Sequence, residues 1–313
     1  MKQLSLKISL FAATVIILMT LFLNKYSGVV DHFYGKFTSP KQHSLIVGES
    51  KSFMGVRPSI ITERMADMYE MPMYNYAFTI AQTAFGELLL KSIERKIAPG
   101  TKNGLFILSV NPWVLSERPE DDVENGVFFE RDVPPNNMYF VSMKPNPEYV
   151  LKNFESFNFK GIFRQISTLE EDGWQDVKSI PTDSADIKML NRENEKWFST
   201  KAIEWKKSDY RLRKFAETVT MLQKYGTVVI IRMPSSKAIT EIEQLYWPEL
   251  DSQLQSISAK SGVQFINFNG QYVYPTFDGI HFDHKTGIAF TQALCDSISK
   301  YKVSAEKRGI KTE

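Results

Sequence analysis

Cysteine is nearly absent: Cys295 is the one example in 313 residues. It has no partner for an internal disulfide and no thiolate companions for a structural metal site, so packing alone must hold the fold. Histidine is scarce as well, with four residues, His32, His43, His281 and His284. Charge of one sign is lacking too. The chain carries 38 Lys+Arg against 36 Asp+Glu, a net +2, far from the dense basic patch that binding a phosphate backbone demands, so no nucleic-acid partner is expected. Repeats and low-complexity tracts are missing. What remains, 43% hydrophobic and 13% aromatic, suffices for one folded domain plus appendages.

The one long apolar run lies at the N-terminus. From Leu4 to Leu23, "LSLKISLFAATVIILMTLFL" contains a single charge, Lys7, and a helix of that length spans roughly 30 Å of hydrocarbon. Three readings are open: an uncleaved signal anchor, a cleaved signal peptide or a buried helix. The bulky residues of "NKYSGVVDHFYGKF" offer no small-residue cleavage site, which favours the anchor. Lys2 and Lys7 precede the run while Lys25 and Lys36 follow it, a modest argument for a soluble part on the extracytoplasmic side. Residues 24 to 43 read as a connector, with the folded body starting at Ser44.

From there, strand-like and helix-like patterns alternate. "SLIVG" suits a buried parallel strand, "RPSIITERMADMYEM" a helix and "MPMYNYAFT" a second strand. The stretch "AFGELLLKSIERKIAPG" reads as a helix and "NGLFILSVNPW" as a third strand. Residues 113 to 208 break the pattern with turn-rich pieces and a helix-like "NRENEKWFSTKAIEWKK", and are expected to be an insertion that covers something. Alternation resumes with helix "DYRLRKFAETVTMLQKYG", strand "TVVIIRMP", one long helix from Ser236 to Gly262, and strand "VQFINFNG". The expected fold is α/β: about five parallel strands, doubly wound by helices.

Ligands of such sheets gather beyond the carboxyl ends of the strands, and Ser50 in "SLIVGESKSF" falls just past the first. Beyond the last comes "YPTFDGIHFDHKTGIAF", in which Asp278 and His281 are three residues apart, near enough for the carboxylate to orient the imidazole. A serine hydroxyl needs such an oriented base to become a nucleophile. The plainer readings are a polar turn residue for Ser50, with Ser52 as its neighbouring substitute, and a loop-closing hydrogen-bond pair for Asp278 and His281. A metal site from His281, Asp283 and His284 is a further alternative, weakened by the shortage of other histidines.

In these motifs the chain resembles the SGNH (GDSL-type) hydrolase superfamily. Gly48-Glu49-Ser50 matches the family's opening Gly-Asp-Ser, and Asp278-Gly279-Ile280-His281 its closing Asp-x-x-His. The resemblance covers roughly residues 44 to 112 and 209 to 300. It implies a three-layer α/β/α, flavodoxin-type fold, with Ser50 as nucleophile, His281 as base and Asp278 as its orienting acid. It implies Asn111 in "LSVNPW" as an oxyanion donor, joined by backbone N–H groups from Ala77 to Thr79. Two departures stand out: Glu49 replaces the aspartate, and the family's second-signature glycine has no counterpart in "YNYAFTIAQT".

The anchor, the insertion and the "RMP" strand ending resemble the membrane-tethered members related to alginate O-acetylation and Dlt D-alanylation proteins. That resemblance implies an acyl esterase or O-acyltransferase working on a glycan's O-acyl esters, most simply acetyl, beside a membrane-bound O-acyltransferase, with no cofactor or metal. A non-catalytic glycan-binding or assembly subunit is the rival, and a lipase or thioesterase with an apolar groove a third reading. Arg232 is a candidate contact for an acidic sugar or an acyl carrier, or else one half of a structural ion pair. Asn75 reads as a buried tie between strand and loop. Trp113, Trp174, Trp197 and Trp205 are candidates for a carbohydrate cleft, or for core packing.

Overall fold

The computed structural model describes residues 2–154, 167–177 and 180–307. Five parallel strands form one sheet: β1 (Ser44–Val47), β2 (Met73–Asn75), β3 (Gly104–Ser109), β4 (Gly226–Arg232) and β5 (Gln264–Asn267). Their order is β2-β1-β3-β4-β5, the doubly wound arrangement whose switch point lies between β1 and β3. β1, β3 and β4 carry the unbroken apolar runs Leu45–Val47, Leu105–Leu108 and Val228–Ile231 because both faces are covered. Leu45, Val47, Phe106, Leu108, Val228 and Ile230 point to one face. There they meet α5 (Glu87–Lys96), α8 (Asp209–Leu222) and α10 (Leu250–Ser261) through Ile93, Phe215, Val219 and Leu254. The alternate residues Ile46, Leu105, Ile107, Val229 and Ile231 meet Ile61 and Met65 of α4 (Pro58–Met65) and Phe290 and Leu294 of α11 (His284–Lys307). The α/β fold expected from the sequence is therefore the one found.

Three boundaries differ from expectation. First, the body does not begin at Ser44. After α1 (Lys2–Val30), α2 (Tyr34–Thr38) packs Tyr34 and Phe37 fully into the core. Lys36 is buried there too, its ammonium donating to the carbonyls of Asn75 and Gly173 over the Phe53 ring. Second, the long helix predicted from Ser236 breaks into α9 (Lys237–Tyr246) and α10, because Pro248 removes a backbone donor and its ring crowds the preceding turn. Third, the second strand is short, although the chain past its end keeps bonding alongside β1, through Tyr76 N–H to Ile46 O and Phe78 N–H to Gly48 O.

The apolar N-terminal stretch is helical. Lys2–Phe22 has a mean hydropathy of 2.1 and its apolar stretch is not buried, so it is long and apolar enough to be a membrane anchor or a signal sequence. Just after α1, Asp31 accepts the Tyr149 hydroxyl from α6 (Pro147–Asn153), which ties the foot of the helix to the segment expected as an insertion. Burial raises the Asp31 carboxyl above its ordinary range despite this bond. The longest element of that segment is α7 (Ser184–Glu204), capped by Asp183 and packed against α9.

Candidate active site

The site starts where β1 stops. Gly48 has φ +158°, and a Cβ there would sit 2.6 Å from Ser52 Oγ and 2.7 Å from Ser109 Cβ, so only glycine lets the turn pass this close to β3. Glu49 then caps α3 (Ser50–Gly55), its Oε2 accepting the Lys51 N–H at 2.8 Å. Ser50 is the first residue of α3, half-buried, and its N–H has no acceptor one turn back. Its hydroxyl stands between two acceptors, His281 Nε2 at 2.8 Å and Glu49 Oε2 at 3.2 Å.

The facing loop is organised by Asp278. Its Oδ1 accepts the N–H groups of Ile280 (3.0 Å) and His281 (2.8 Å), folding the chain back so that Oδ2 meets His281 Nδ1 at 2.7 Å. Gly279 makes the turn at φ +90°. Burial pushes the Asp278 carboxyl up, but the imidazole bond, its charge and the two backbone donors more than offset this, and the pKa lies below the ordinary value. Asp278 is thus a carboxylate at neutral pH. A carboxylate only accepts, so it keeps a proton on Nδ1 and turns Nε2 towards the Ser50 hydroxyl.

Ser50 and His281 lie on the floor of a cleft of about 190 Å³. Asn111 borders it. Its Oδ1 accepts from Trp113 N–H and Val114 N–H, which orients the amide, and its Nδ2 donates to no described residue. Ile80 and Ile280 supply apolar wall. Across the cleft, α7 contributes Asn194, Trp197 and Phe198, and the Asn194 amide donates to Asp278 O at 2.9 Å, bracing the acid's loop. Trp197 is a cleft residue that the sequence reading named, whereas Asn194, Phe198, Ile80, Ile280 and Glu49 are lining groups that it missed. The helix-like pattern over residues 191–207 is visible in the sequence, but nothing there says which face meets Ser50.

Other expectations are corrected. The Ala77 N–H donates to Asn75 Oδ1 at 3.0 Å and the Thr79 N–H to Gln82 Oε1 at 3.2 Å, so both backbone donors assigned to an oxyanion are occupied elsewhere. Arg232 is 4% exposed and bonds Glu243 and Asp251; it does not line the cleft and forms the structural ion pair. Glu243 also accepts the Trp113 Nε1–H at 3.2 Å and lies 3.8 Å from Lys51 Nζ, a buried polar network beside α3. Ser52 is buried and donates to Glu49 O, which removes it as a substitute nucleophile. Asn75 does tie strand to loop, donating to Ser52 O at 2.8 Å and Val56 O at 3.2 Å. Of the four candidate tryptophans, Trp197 alone lines the cleft. Trp113 and Trp205 are core, and Trp174 donates to Met54 O. His284 pairs with Asp176 at 3.1 Å instead of joining His281.

No protein-family model matches the chain, and no curated protein matches it. Among solved structures it is similar to a carbohydrate acetylesterase from Sinorhizobium meliloti, at 9% identity and a TM-score of 0.41, covering 82% of this chain and 99% of that one. It is also similar to a lipase/acylhydrolase from Enterococcus faecalis, at 10% identity and a TM-score of 0.40, covering 82% and 96%. A third is an aryl esterase from M. smegmatis, at 11% identity and a TM-score of 0.37, covering 82% and 99%.

Proposed function

We propose that the protein is an SGNH-type acyl esterase or O-acyltransferase, anchored by α1, that acts on small O-acyl esters, acetyl first among them, of a glycan. One observation carries the reading: Ser50 Oγ, His281 Nε2, His281 Nδ1 and Asp278 Oδ2 form a continuous chain of 2.8 and 2.7 Å contacts at the strand ends. In this mechanism Ser50 Oγ attacks the ester carbonyl carbon while its proton passes to His281 Nε2. The carbonyl electrons move onto oxygen, where the Ser50 N–H and the Asn111 amide receive the charge; one such donor is commonly worth roughly 3 to 4 kcal/mol. Collapse of the tetrahedral intermediate expels the alkoxide, which takes the proton back from His281. Water or an acceptor hydroxyl then reverses the steps, giving hydrolysis or transfer. No cofactor enters.

The cleft, at about 190 Å³, is below the roughly 300–1,000 Å³ of sites that engulf drug-sized ligands. That suits a short acyl group better than the long chain of a lipase substrate. The orientation of the anchor follows the basic residues at its ends. Since Lys36 is buried in the body, the flanking balance becomes Lys2 and Lys7 against Lys25, in favour of an extracytoplasmic active domain. A second reading, a binding or assembly subunit beside a membrane-bound O-acyltransferase, is favoured by the occupied N–H groups of Ala77 and Thr79, which leave the oxyanion fewer donors. Turnover of p-nitrophenyl acetate separates the two: the esterase reading expects turnover that Ser50→Ala abolishes, and an inert wild type supports the subunit.

A further inference from the structure

The cleft has room for a short acyl group but little for the alcohol that carries it, so the alcohol must lie towards solvent, where Trp197 is the exposed residue among those lining the cleft. This indole lines the cleft and is 38% exposed, whereas Phe198, Trp205 and Trp113 behind it are 6%, 6% and 1% exposed. It is also held rigidly. Phe198 meets it edge-on at 4.8 Å and 84°, and Trp205 at 5.7 Å and 83°. Both of those rings pack on Trp113, which stacks in turn on Tyr246 at 5.0 Å and 11°. A scaffold of buried aromatics therefore presents one indole to solvent beside the serine. One helical turn away on α7, Asn194 also borders the cleft.

Resting on the esterase reading above, we infer that Trp197 is the platform for the pyranose ring of the ester's alcohol. A pyranose has an apolar C–H face that covers an indole and a polar rim of hydroxyls, for which Asn194 offers its Oδ1 as an acceptor while its Nδ2 stays on Asp278 O. An exposed tryptophan taken singly is unremarkable on a protein surface. This one differs in being fixed by perpendicular neighbours at the reacting centre, so its ordering is already complete before a ligand arrives. Trp197 thereby acts in binding the alcohol and not in bond making.

The test compares the full-length protein with its Trp197→Ala and Trp197→Phe variants on two sets of acetyl esters. One set is the 6-O-acetyl esters of methyl glucopyranoside, mannopyranoside and N-acetylglucosaminide. The other is ethyl acetate, which has no ring to stack. The platform predicts that Trp197→Ala raises KM for at least one sugar ester about tenfold with kcat within about twofold, the size expected for one lost aromatic contact. Phenylalanine restores part of the loss, and ethyl acetate turnover stays within about twofold. Equal losses on both ester types, or none on either, overturn the platform while leaving the Ser50 chemistry standing. If wild type turns over neither ester, the esterase reading fails, and quenching of tryptophan fluorescence by the unacetylated glycosides decides the platform separately. Quenching that Trp197→Phe removes supports it, and no quenching refutes it.

Discussion

Ser50 Oγ and His281 Nε2 are 2.8 Å apart in space and 231 residues apart in sequence. The sheet is what closes that distance. Ser50 follows β1, and His281 precedes α11, which packs on α3 and α4, so the two loops share the rim where the strand order switches.

Asp278 acts through His281, and its removal should spare the substrate contacts. Asp278→Asn is expected to lower kcat for an acetyl ester by roughly 10³–10⁴-fold, because an amide no longer enforces the imidazole tautomer. KM should stay within about twofold. The variant should also lose a pH dependence of stability. The Asp278 pKa lies below its ordinary 3.8 in the fold, so its contribution is complete above that pH and is lost as pH falls through the folded value. Thermal melts below about pH 4 should therefore decline more steeply for wild type than for Asp278→Asn.

Gly48 sets where Ser50 stands. With Ser109 O only 2.9 Å from the position of an added Cβ, Gly48→Ala must move backbone, and a cost of about 1–3 kcal/mol is expected. Urea denaturation reads the loss of stability. The rate on p-nitrophenyl acetate should drop as well, since a shift of 1 Å in the nucleophile costs on the order of 10²-fold.

Arg232 is a matter of stability. Replacing it with methionine leaves Glu243, 1% exposed, short of its strongest partner, and breaking a buried pair in this way costs about 3–5 kcal/mol. The melting temperature should fall while KM for every ester tested holds. A KM effect without destabilisation would restore the ligand role that the sequence suggested.

Lys96 gives a basic-side signature. Its ammonium is fully buried, donating to Lys36 O at 2.7 Å, Ser39 O at 2.9 Å and Val141 O at 2.8 Å, and burial pushes its pKa well below 10.5. The unfolded chain then holds this proton to a higher pH than the folded one. Stability should therefore rise with pH between the folded value and 10.5. Lys36 adds to the slope for the same reason. In Lys96→Met, chemical denaturation at stepped pH should show a shallower rise and lower stability, because three carbonyls lose their donor.

The sequence made the sheet and the acid–base loop readable because both rest on local patterns. Unbroken apolar runs such as "LFILS" announce strands covered on both faces, and Asp278 and His281 are close enough in the chain to be read together. What stayed hidden depends on partners far away. Lys36 reads as a connector charge until the carbonyls of Asn75 and Gly173 are seen around it. The Ala77 and Thr79 N–H groups seemed available until the side chains of Asn75 and Gln82 were found to take them. Of the α7 wall only Trp197 was a candidate; Asn194 and Phe198 stayed hidden because a helix pattern does not name the surface it will cover.

The most direct measurement is labelling of the intact protein by a fluorophosphonate, located by mass spectrometry of the digested chain. An activated serine gives one adduct on the Ser50 peptide of wild type, lost in His281→Ala and in Ser50→Ala. An unlabelled wild type, an adduct on another residue, or labelling that persists without His281 would contradict the account.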